Sequence, residues 1–138
     1  MCKSLWPKIT AKSEDLPKGI LQQQVNYLAE NTENKIIGSL EIFSGNEFET
    51  TKNMKDPIIR SEEDICYKLY ITVPSLGNVR FLLVSMLQNP IQIYPCHLKD
   101  EINDIEYNNI NDLSLFIEKL GQILQSEKIT QLLSNLLA

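Results

Sequence analysis

Residues 65–73, Ile-Cys-Tyr-Lys-Leu-Tyr-Ile-Thr-Val, alternate with a period of two. Ile65, Tyr67, Leu69, Ile71 and Val73 leave one side of an extended backbone, and Cys66, Lys68, Tyr70 and Thr72 leave the other. A helix would scatter the same residues around its axis, so the segment demands a strand with one apolar face. The rest of the chain must then supply both a sheet around it and a layer to cover that face.

The flanking sequence supplies the sheet. Residues 74–78, Pro-Ser-Leu-Gly-Asn, carry turn chemistry. The almost continuous apolar run at 79–87 fits a central strand covered on both faces. Asn89-Pro90 precedes a third strand at 91–98. Upstream, residues 35–43 place Ile36, Leu40 and Ile42 on one face, with Gly38 where a bend or a close approach is expected, and the strand ends at Ser44-Gly45-Asn46. The links among the last three strands are short, which implies an antiparallel meander. Residues 47–64 read as a long polar connection holding one short edge strand at 48–51, and residues 99–111 read as a second polar tract.

The covering layer is helical. Pro17 suits a first helical turn, and Leu21, Val25 and Leu28 follow at helical spacing as far as Asn31, with Ile20 and Tyr27 widening the stripe. Leu113, Phe116, Ile117, Leu120, Ile123 and Leu124 form a second stripe capped by Asn111 or Asp112. Ser126 caps a third helix whose apolar side is Ile129, Leu132, Leu133, Leu136 and Leu137. The expected class is α+β: an antiparallel sheet of about four strands, with an N-terminal helix and two C-terminal helices packed on one face. Residues 1–15 are expected to form an irregular arm pinned to the body by Leu5, Trp6 and Ile9.

A chain of 138 residues, 43% of them hydrophobic, suits one domain over residues 1–138. Thirteen Lys and Arg against eighteen Asp and Glu leave a net charge of −5. Such a surface repels phosphate backbones and anionic lipid, so neither nucleic acid nor membrane is an expected partner. Lys3, Lys8, Lys12 and Lys18 are too dispersed to form a nucleic-acid patch. No signal-peptide core is evident, and no window approaches the roughly 20 apolar residues of a membrane span. Cys2, Cys66 and Cys96 lack disulfide or zinc spacing, and free thiols fit a cytoplasmic protein.

Reactive chemistry is sparse. Cys96 and His97 are neighbours on a strand and leave opposite faces, while Cys66 reaches His97 only if strand register allows it. A small Cys/His-dependent hydrolase is therefore a minor alternative. Residues 100–106 are acidic but lack the mid-loop glycine and closing glutamate of an EF-hand. Gly19, Gly38, Gly45, Gly77 and Gly121 stand apart and make no phosphate-binding loop. No cofactor is expected.

By elimination, the sequence points to a non-catalytic protein-binding module, most concretely an acidic immunity- or antitoxin-like protein that blocks a basic toxin. The candidate contact residues are Glu62, Glu63, Asp64, Asp100, Glu101, Asp104 and Glu106, together with Tyr70 and Tyr94 if these share the open sheet face. The alternative binding role is an accessory subunit of a larger intracellular complex, using a sheet edge or the C-terminal leucine stripe. That stripe is also the candidate surface for a homodimer.

Overall fold

The computed structural model describes residues 3–10, 15–50, 58 and 60–138. The alternating segment is strand β2, Ile65–Val73, and it lies second in a five-stranded sheet with β1 (Ile37–Ser44), β3 (Val79–Gln88), β4 (Cys96–Asp100) and β5 (Ile105–Ile110). The spatial order is β1-β2-β3-β4-β5 and every pair is antiparallel, so the sheet is a meander. Helix α1 (Pro17–Asn31) precedes the sheet, and α2 (Leu113–Leu124) and α3 (Glu127–Leu137) follow it. The architecture is α+β, as the residue pattern leads one to expect.

One apolar core lies between the sheet and the helices. Leu69, Ile71, Met86 and Leu98 from the strands meet Leu21 of α1, Phe116, Leu120 and Ile123 of α2, and Ile129 of α3. Burying whole aliphatic and aromatic side chains is the main force holding such layers together, at roughly 1.5–3 kcal/mol each. The helix starts are fixed locally. Asp112 Oδ1 accepts the Leu115 N–H at 2.7 Å, and Ser126 Oγ accepts the Ile129 N–H at 3.4 Å. At the end of α1, Thr32 Oγ1 donates to the Leu28 carbonyl at 2.8 Å and accepts the Ile36 N–H at 3.2 Å, which turns the chain into β1.

Strand β3 contains a bulge. Leu69 lies opposite Val84 but Tyr70 lies opposite Leu82, so Leu83 is an extra residue. The bulge puts Phe81 and Val84 toward the helices despite their odd spacing. On the other face, Leu87 joins Phe48 and Cys66 in a second buried cluster, with Phe43 and Ile58 packed against it. Two covered faces and a change of parity together explain why residues 79–87 read as a nearly unbroken apolar run.

The structure corrects several expectations. The sheet has a fifth strand, β5, within the tract that reads as polar loop. Strand β4 starts at Cys96 rather than at residue 91, because Pro95 has no N–H to give a ladder and Asn89 Oδ1 accepts the N–H groups of Ile91 and Gln92 in a turn. Residues 48–50 form no strand, since a 3₁₀ turn at Gly45–Glu47 delivers Phe48 into the second cluster; Thr51 lies outside the described residues. Leu5, Trp6 and Ile9 are exposed and do not pin the arm; Tyr27 and Ile117 are exposed on their helices, and Ile42 is exposed although it shares the helix-side face of β1 with Leu40. Among the described residues, no helix is long and apolar enough to cross a membrane.

Candidate functional site

At the end of the sheet where β2 begins and β3 ends, a cleft of about 440 Å³ opens between residues 61–64, the β3–β4 loop and the start of β4. Its frame is a set of local hydrogen bonds. Asp64 Oδ2 accepts the Ser61 N–H at 2.9 Å and Oδ1 accepts the Ser61 hydroxyl at 3.1 Å, closing a tight turn before β2. Asn89 Nδ2 donates to Asp64 Oδ1 at 3.0 Å and so ties that turn to the β3–β4 loop. Gly45 presses on the same turn. Its N–H donates to the Asp64 carbonyl at 2.9 Å, and a Cβ on it would lie 2.7 Å from that of Asp64.

The cleft is lined by Glu63 and Asp64, by Gln88, Asn89 and Gln92, by Tyr94 and His97, and by apolar Leu87, Ile91 and Pro95. Among the described residues no Lys or Arg lines it. Gln88 is only 6% exposed, and its side chain reaches the Tyr67 hydroxyl. The Gln88 Oε1 and Tyr94 hydroxyl are buried without hydrogen-bond partners among the described residues. Burial pushes the His97 imidazole below its ordinary pKa, against the opposing pull of Asp64 and Glu106, so the ring is neutral at pH 7. Burial likewise raises the Tyr94 hydroxyl, with Cys96 and Asp112 adding to it.

The residues singled out in the sequence fall into three places. Glu63, Asp64 and Tyr94 come together in the cleft, with exposed Glu62 beside them in the same turn. Asp100, Glu101, Asp104 and Glu106 belong to the β4–β5 hairpin. Asp100 is level with Leu69 across β3, five residues beyond Asp64, which is roughly 17 Å along the sheet. The two acidic runs are therefore separate features. Tyr70 lies on the sheet face away from the helices, with the Arg80 guanidinium 3.5 Å from its ring centroid and Arg80 paired to Glu41. Tyr94 packs against the helix-side core, so the two tyrosines do not share a face.

Within the hairpin the carboxylates serve the fold. Asp100 is buried and accepts the N–H groups of Ile102 and Asn103 and the Asn103 side-chain amide. Lys99 pairs with Glu101 at 3.1 Å and Asp104 at 3.6 Å. Burial lowers its pKa, but hydrogen bonding and charge from Glu101, aided by Asp104 and Glu106, hold the ammonium above its ordinary value.

The thiols lie apart from His97. Cys96 packs in the helix-side core, whereas His97 lines the cleft. Cys66 shares a sheet row with His97 but Leu87 stands between them, which puts the two about 10 Å apart across two strand spacings. Burial raises Cys66 to about 11 and Cys96 to about 12. Among the described residues no three His, Cys, Asp or Glu side chains gather to hold a metal ion. The leucine stripe of α3 is packed on the core through Leu132, Leu133 and Leu136.

Gln88, Asn89 and the loop around them carry little sequence signal for a site, because the cleft exists only once distant segments converge. The polar pair Gln88-Asn89 after a run of apolar residues is the one local hint. Comparison with protein-family models, curated proteins and solved structures finds no match to this chain.

Proposed function

We propose that this chain is a non-catalytic protein-binding module, an immunity- or antitoxin-like protein of the cytoplasm that covers the anion-seeking surface of a basic partner. The observation that carries the reading is the acidic cleft: exposed Glu63 lines it, exposed Glu62 flanks it, buried Asp64 closes the turn that presents both, and among the described residues no Lys or Arg lines it. Exposed carboxylates around a concave site steer a positively charged partner and fix its orientation. The protonated, buried thiols and their distance from His97 favour binding over nucleophilic chemistry.

The test is affinity capture from the native host with the wild-type chain and with a Glu62→Lys, Glu63→Lys variant, at about 50 mM and about 300 mM salt. A basic protein should be retained at low salt and largely released at high salt, and the charge-reversed chain should lose about tenfold or more in affinity. A captured partner that is not basic, held equally by both chains and at both salt levels, overturns the reading in favour of an accessory subunit.

A further inference from the structure

We propose that the outer edge of β1 pairs with β1 of a second copy of this chain, antiparallel about a two-fold axis through Leu40, and joins the two sheets into one. The pairing goes beyond the binding-module reading and uses surface outside the cleft, so the two stand or fall separately.

Every second residue of an edge strand turns its N–H and C=O away from the sheet, and such a row is a template for another strand. β1 is at the edge of the order β1-β2-β3-β4-β5, and its eight residues keep an unbroken register with β2. Among the described residues, no backbone hydrogen bond outside the β1–β2 ladder involves residues 37–43. Edge strands that stay solitary are blunted by bulges, lysine or proline. At the far edge, β5 shows such a device, an irregular pairing with Asn109 at φ 57°. β1, Ile-Gly-Ser-Leu-Glu-Ile-Phe-Ser, has none of them, and it exposes Ile37 at 42% and Ile42 at 58%.

The sequence of β1 fits itself best in one register. A two-fold axis normal to the sheet keeps every residue on its own face, so residues two, four or six apart in the strand meet across it. With Leu40 on the axis, Ile37 stands opposite Phe43 of the second copy, Ile42 opposite Gly38, and Ser39 opposite Glu41. Moving the axis to Glu41 sets the two Glu41 carboxylates against each other, and moving it to Ser39 sets Ile37 against Glu41. Register is chosen by this match of apolar with apolar.

Helix α1 leaves room for the pairing. It rests on β1 at Gly38, where a Cβ would lie 3.3 Å from Val25 Cγ2, but near its start Lys18 Nζ is over the ring of Tyr67, the β2 residue opposite Ile42. The helix therefore crosses from β1 toward β2 and leaves Ile42 uncovered on the helix side. In the pair, each Ile42 enters the space beside Gly38 of the other copy, where no side chain stands in its way and the other copy's α1 covers it.

The full chain is followed by sedimentation velocity from about 1 µM to about 500 µM. An interface of this small class should have a dissociation constant on the order of 10 µM, so the mass should rise across the range from the 15.8 kDa of one chain toward twice that value. Ile42→Lys alters a side chain exposed in the single chain, so it should leave the fold intact and weaken dimerisation about tenfold or more. Ile117→Lys, at a comparably exposed position on α2, should leave dimerisation unchanged. In a mixture of differently isotope-labelled copies, NOEs between copies should connect residue 38 with residue 42 and residue 39 with residue 41.

A single-chain mass throughout the range overturns the proposal. So does a dimer that Ile42→Lys leaves as strong as before, or one whose NOEs between copies omit β1, since either puts the interface elsewhere. A chain that stays single but whose β1 amides become protected when a different protein binds overturns the second copy as the occupant. None of these outcomes touches the salt-sensitive capture of a basic partner, which tests the cleft alone.

Discussion

Asp64 and Asp100 are both aspartates in acidic runs, yet neither is free to act as a docking charge. Each spends its oxygens closing a turn, Asp64 before β2 and Asp100 after β4. The Asp100 turn extends further: Asn103 Nδ2 donates to Asp100 Oδ2 at 2.7 Å and lies 3.1 Å from Ser126 Oγ, the cap of α3. One buried carboxylate therefore organises both the β4–β5 hairpin and the start of the last helix. Asp100→Ala would leave two backbone N–H groups and an amide without their acceptor, and it should lower stability by about 3 kcal/mol. Urea unfolding of the variant checks this, and a change under about 0.5 kcal/mol, the size expected of an ordinary surface substitution, would contradict it. Neutralising exposed Glu62 should by contrast leave stability nearly unchanged, because its carboxylate is on the surface.

Helix α1 seats on β1 through Gly38, where a Cβ would meet Val25 Cγ2 at 3.3 Å. Alanine there asks only a small concession from Val25, whereas Gly38→Val would drive two methyl groups into the helix. The variant should lose about 2 kcal/mol by overpacking, read as a lower denaturation midpoint with the antiparallel sheet retained in the circular dichroism spectrum. The Gly38 contact was legible as a place of close approach because a glycine interrupts an otherwise apolar strand. Other elements were legible to the extent that their residues keep one period. Strand β2 does so over its whole length, and α2 and α3 show both stripe and cap, so their limits match those read from sequence. Strand β5 does not. Asn109 adopts φ 57° at an irregularity in the β4–β5 pairing, which breaks the alternation, and Asn108-Asn109 has the composition of a turn. The candidate site was legible only as separate residues. Glu63, Asp64 and Tyr94 stand out by charge or ring, but that they converge on Gln88 and Asn89 depends on strand register, which a sequence with a bulge in its central strand conceals.

The sheet divides the molecule into an apolar helical side and a mixed side where one row runs Glu41, Lys68, Ser85, Lys99, Glu106 across all five strands. Ionisable groups buried in these layers set the pH range over which the whole chain is stable. His97 has a folded pKa below its ordinary 6.5, chiefly through burial. Above 6.5 the ring is neutral whether the chain is folded or not, and its contribution is intact. As pH falls from 6.5 through the lower folded value, the unfolded chain takes up the proton first, and stability is lost. The thiols act in the opposite direction. Burial lifts Cys66 from 9.0 to about 11 and Cys96 from 9.0 to about 12. Both are neutral in either state below 9.0, so their contribution is intact there and is lost as pH rises from 9.0 through those folded values, when the unfolded chain ionises first. The loss is on the order of 3 kcal/mol for Cys66 and about 4 kcal/mol for Cys96. Urea midpoints measured against pH should thus form a plateau between 6.5 and 9.0 with a fall on each side. In a Cys66→Ala, Cys96→Ala chain the alkaline fall should become shallower while the acid side is unchanged, and in His97→Gln the reverse should hold. An alkaline limb just as steep without either thiol would mean that the buried hydroxyls of Tyr67 and Tyr94, raised above their ordinary 10.0, or Lys99, raised above its ordinary 10.5 by Glu101 and its neighbours against the cost of burial, govern that side instead.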